Sequence, residues 1–192
     1  MLGIKRSALA VALSLLVLGG GQAAAQEVPS NSPLADGKLS KKELAAFVLT
    51  AEQQLTLLAE TATKEYLPVI EGQGVTQPQA WMLMKDGETV KRIDLKGQAE
   101  GAPSEIQAIM YGAAIKSLAR RGLINAAAVL YSGQVNEGDE TQALIIEHEH
   151  RLGVSANKVV GYVKENGVIV WGKPVTVKKP FEWFYDAKKD PS

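Results

Sequence analysis

KVVGYVKENGVIVWGKPVTV, residues 158–177, sets two β-prone runs on either side of Asn166-Gly167. An Asn-Gly pair between such runs supplies the positive-φ residues that a two-residue hairpin turn needs. That turn puts Tyr162 opposite Trp171, an aromatic cross-strand pair. Upstream, residues 123–135 and 141–152 are two further strand-like runs around the polar loop NEGDE at 136–140. Together these segments predict a meander of four strands. Earlier still, WMLMKDGETVKRIDL at 81–95 repeats the pattern around Asp86-Gly87. A two-residue turn there sets Lys85 opposite Glu88, Leu83 opposite Val90 and Trp81 opposite Arg92. The first pair suits an ion pair and the last a cation–π contact.

Two segments carry helical periodicity instead. Ser40 and Glu43 form an S-x-x-E capping box. After it Leu44, Val48, Ala51, Leu55, Leu58 and Ala62 recur at alternating spacings of four and three. They predict a helix of about six turns that ends near Tyr66, ahead of Pro68. The same seam could build a coiled-coil dimer. It is short, includes two alanines and has a sheet nearby to cover, so packing on the protein's own sheet is expected. The second helix is expected over 104–121, with Ile106, Ile109, Met110, Ala113, Ala114 and Leu118 on one side. Glu105 suits its positive end, Arg120 and Arg121 its negative end, and Gly122 supplies the stop.

The order helix, β-hairpin, helix, four-strand meander defines an α+β fold, two helices packed on a mostly antiparallel sheet. Both helices are expected on one face. The tail PFEWFY at 180–185 carries four aromatic residues and should fold back on the core.

Ahead of this domain (40–192) stand two segments of different character. Residues 1–25 combine a basic start (Lys5, Arg6), an apolar run from Ala8 to Leu18 and an A-x-A site at Ala23 and Ala25. They match a cleavable signal peptide with cleavage before Gln26. The run is shorter than the roughly 20 residues of a membrane span and is followed by three glycines. Residues 26–39, with two prolines and no periodicity, are expected to be a flexible leader. The chain has no cysteine, which excludes a lipid anchor at the cleavage site, disulfides and thiolate chemistry. A periplasmic or secreted location is expected.

Loss of Lys5 and Arg6 takes the basic residues from 21 to 19 against 21 acidic ones. This slightly acidic balance argues against nucleic acid or an anionic membrane as partner. Gly72-Gln73-Gly74 lacks the third glycine and following helix of a dinucleotide site, and no cofactor is expected. Ser132 sits on a strand, not in a G-x-S-x-G elbow. DGKLSKKE at 36–43 resembles half of a calcium loop, but the third position would be Leu34, which cannot ligate, and helix capping explains the same residues.

Glu147-His148-Glu149-His150 is the sharpest local feature. On a strand His148 and His150 share one face and Glu147 and Glu149 the other. Two imidazoles so placed can share a metal, given a carboxylate as third ligand, since the chain has no other histidine. The five-residue loop sets Ala128 opposite His148 and Ala126 opposite His150, which leaves room for two packed rings. The carboxylates are expected on a solvated face. The chain is therefore expected to be an exported, soluble and monomeric envelope protein, a non-enzymatic module for an unknown protein or small-molecule partner. The alternative is a metal-binding protein or metal-dependent enzyme built on His148 and His150.

Overall fold

The computed structural model describes residues 41–72, 77–97, 99, 101–135 and 141–185, with the backbone alone for Lys42 and Glu43. The signal peptide, the leader, the capping box (which needs Ser40 and the Glu43 side chain) and the 136–140 loop lie outside the described residues.

Eight elements follow in chain order: α1 (Lys41–Glu71), β1 (Gln79–Met84), β2 (Val90–Arg92), α2 (Ser104–Arg120), β3 (Ile124–Gln134), β4 (Gln142–His150), β5 (Val154–Glu165) and β6 (Val168–Lys178). The fold is α+β. Hairpin and meander join in one antiparallel six-stranded sheet of order β2-β1-β3-β4-β5-β6. The first hairpin keeps the expected register, since Trp81 pairs Arg92 and Leu83 pairs Val90, but its turn is wider than two residues: the Met84 N–H donates to Thr89 O and the Gly87 N–H to Met84 O, and Gly87 but not Asp86 takes positive φ. Asn166 and Gly167 both take positive φ, and Tyr162 stacks on Trp171 at 5.3 Å between ring centroids. Trp81, however, makes no cation–π contact with Arg92. Its indole N–H donates to Glu65 Oε2 at 2.7 Å, and its ring meets Tyr66 edge-on. The cation–π contact among the described residues is Lys179 over Trp183.

The two helices lie on opposite faces, not on one. Leu55, Leu58, Ala62, Tyr66 and Ile70 of α1 pack on Trp81, Leu83, Ala126, Ala128 and Leu130. Tyr111, Ile115 and Ala119 of α2 pack on Ala80, Ala127 and Val129. Period-two alternation sends neighbouring residues of β1 and β3 to opposite layers. A strand buried along Ala126–Leu130 without a break needs cover on both sides. Helix α1 also runs through Pro68 to Glu71. Tyr66 and Ile70 continue its buried stripe, and this burial outweighs the backbone hydrogen bond that Pro68 cannot make. Helix α2 stops as expected: the Gly122 N–H donates to Ala119 O and the Leu123 N–H to Leu118 O, a Schellman closure. No helix among the described residues is long and apolar enough to cross a membrane.

Candidate functional site

Strand β4 lies inside the sheet, so its two faces look into different layers. His148 and His150 point to the α1 side, opposite Ala128 and Ala126. His150 is almost fully buried. Its Nε2–H donates to Gln54 Oε1 at 2.8 Å, and its Nδ1 accepts the Leu152 N–H at 3.0 Å. This pairing assigns the Nε2 tautomer. Burial, with the Arg151 charge adding to it, pushes its pKa down to about 4. His148 donates from Nδ1 to Ile146 O at 3.2 Å, and burial lowers its pKa as well. Both nitrogens of His150 are thus occupied within the protein. Among the described residues no group of three His, Cys, Asp or Glu side chains gathers at ligating distance.

The opposite face of β4 departs from the solvated face expected of it. Glu149 is 0% exposed. Its Oε1 accepts the Lys179 ammonium at 2.9 Å and the Glu182 N–H at 2.7 Å; its Oε2 accepts the Trp183 and Phe184 N–H groups at 2.9 and 3.1 Å. Lys179 also pairs with Glu147 at 2.9 Å and lies 4.8 Å over the Trp183 ring. Burial alone would lower the lysine pKa, but the bonds and charges of Glu149 and Glu147 outweigh it and hold it above the usual value. One carboxylate therefore clamps the tail, and Phe181, Trp183 and Tyr185 fold onto the core as expected. A lysine just ahead of a Pro-aromatic run was the only trace of this clamp in the sequence.

An open groove of about 440 Å³ lies on the α1 side, between α1 and strands β4–β6. Leu144, Ile146, Val160, Trp171 and Pro174 form its apolar floor, and Glu60, Lys64 and Lys158 stand among its lining residues. Small side chains on α1, Ala59 and Thr63, keep the helix from filling it. A β-bulge in β6 shapes the far wall. Gly172 lies so close to the Gly161 backbone that a Cβ there would sit 3.1 Å from the Gly161 carbonyl oxygen. The Tyr162–Trp171 pair was legible beforehand, but its place in a groove wall depends on where α1 lies. No protein-family model, curated protein or solved structure matches the chain.

Proposed function

We propose that this protein is an exported binding module and that the groove between α1 and β4–β6 is its ligand seat. The groove itself carries this reading. Its volume is in the range of small-molecule sites, its floor is apolar, and its few charged groups are suited to orienting a ligand. Lys64 and Lys158 outnumber Glu60, which favours an amphiphile with an apolar body and one anionic group. Binding is preferred to catalysis because the buried titratable groups already have structural work. His150 ties β4 to Gln54 of α1, and Glu149 and Lys179 hold the tail. Export rests on the basic start, apolar run and A-x-A site of residues 1–25.

The test uses decanoate and 8-anilinonaphthalene-1-sulfonate as probes. Saturable binding should appear by calorimetry and be weakened roughly tenfold or more by Trp171→Ala and by Lys158→Glu, the second with an unchanged melting temperature. Binding that ignores both substitutions, or no saturable binding at all, would sink the groove reading. The intact mass of the exported protein should begin at Gln26; retention of residues 1–25 in a membrane fraction would remove the export reading.

A further inference from the structure

Two hydrogen bonds tie α1 to the strands beneath it, one at each end of the groove. Gln54 Oε1 accepts the His150 Nε2–H at 2.8 Å, and the Lys164 ammonium donates to Gly72 O at 3.4 Å. His150 pairs with Val154 at the start of β5, and Lys164 lies near the end of that strand, so α1 runs in the same direction as β5. Between the ties the helix presents Thr56, Ala59, Thr63 and Leu67 to the groove, one residue per turn. From Thr56 to Leu67 the helix rises about 16 Å at 1.5 Å per residue. The floor is slightly shorter: from Lys158 through Val160 to the Tyr162–Trp171 row is about 13 Å of strand. The far end is filled. One row beyond Trp171, Ile169 packs against the core beneath α1, and Lys164 holds the last turn of the helix. Tyr162 is itself fixed, since its hydroxyl bonds to Gln142 Oε1 at 2.6 Å and to Ser132 Oγ at 3.3 Å.

Charge is uneven along this trough. Lys158 stands half-buried on the floor, nearer the Gln54 tie, and among the described residues it makes no ion pair. Glu60 and Lys64 stand one turn apart on the exposed rim of α1, so their opposite charges offset. A charge on the half-buried floor also acts through a lower effective dielectric than one on the rim. We infer that the groove, taken as the ligand seat proposed above, measures a single unbranched acyl chain, with its carboxylate on Lys158 and its methyl end stopped against Leu67 and Trp171. Carbon–carbon bonds of about 1.5 Å advance an extended chain about 1.3 Å per carbon, so a trough of about 13–16 Å holds roughly 10–13 carbons. Dodecanoate fills it. Hexadecanoate overruns the closed end.

Calorimetric titration of the purified protein with even-numbered saturated fatty acids from octanoate to hexadecanoate, kept below their micelle concentrations, tests it. Affinity should rise about two- to fourfold per added methylene as far as dodecanoate, as apolar burial requires, and no further beyond it. Dodecyltrimethylammonium, with the same chain and the opposite charge, should bind roughly tenfold or more weakly than dodecanoate. Lys158→Met should erase that preference by weakening dodecanoate alone, and Lys64→Met should keep it. Leu67→Ala should carry the rise on to tetradecanoate. Octanoate, too short to reach Leu67, should bind wild type and that variant alike, which reports an intact fold. An affinity that climbs without a break to hexadecanoate would overturn the inference. So would loss of the charge preference in Lys64→Met in place of Lys158→Met, which would reverse the chain. Either result leaves saturable binding in place and the groove reading standing, whereas no saturable binding at any chain length would overturn both.

Discussion

At position 149 a buried carboxylate accepts one ammonium and three backbone N–H groups from a segment 30 to 35 residues further along. Such charge-assisted bonds are strong, and removing the charge leaves donors stranded in an apolar layer. Glu149→Gln should therefore cost about 2–4 kcal/mol in urea unfolding and shift Trp183 emission to the red as the tail loosens. An unchanged midpoint would show that the clamp contributes nothing. The parity of His148 and His150 against Glu147 and Glu149, and the alanines opposite the histidines, follow from the two-residue period of a strand and were legible in the sequence. Which face is wet was not, because the groups that dry it, Gln54 and the tail, are remote in the chain.

Among the elements, α1 divides into two parts that its periodicity does not distinguish. Leu44 and Val48 belong to the same seam as Leu55 and Leu58 but lie beyond the sheet and stay exposed. Leu55→Ala should cost about 2–5 kcal/mol, the range for a buried leucine, whereas Leu49→Ala should cost about 0.5 kcal/mol or less. The contrast rests on exposures of 8% and 55%. Equal losses at both positions, measured by thermal melts, would mean that the start of α1 is covered as well. The hairpins were the most legible elements, because Asp-Gly and Asn-Gly fix the register locally. At Asp86 the local chemistry is visible directly: a hydrogen bond from the Thr89 hydroxyl, with the Glu88 and Thr89 N–H groups, holds its pKa down to about 2. The end of α1 was misjudged because proline bias is local, while Tyr66 and Ile70 are held by a sheet that forms far from them in sequence.

For the whole molecule, His150 links stability to pH. Its folded pKa, about 4, lies below the ordinary value of 6.5, so the unfolded chain takes up the proton first. Its contribution is complete above about pH 6.5 and is lost as pH falls through 4, about 3 kcal/mol in all. Urea midpoints measured from pH 7 to 4 should fall accordingly, and a flat profile would contradict the buried neutral imidazole. The sequence by itself determined the Asn-Gly turn, the register of both hairpins near their turns, the stop of α2, the facing of the β4 residues and the α+β class, because each depends on backbone sterics or periodicity within a few residues. Only the tertiary structure decided that the helices take opposite faces, that Glu149 and Lys179 are clamped beneath the tail, and that, among the described residues, a groove and exposed β6 valines lie on the two sides of β4–β6. Those outcomes depend on which apolar surfaces meet across the chain, and a surface left uncovered leaves no mark on the periodicity that built it.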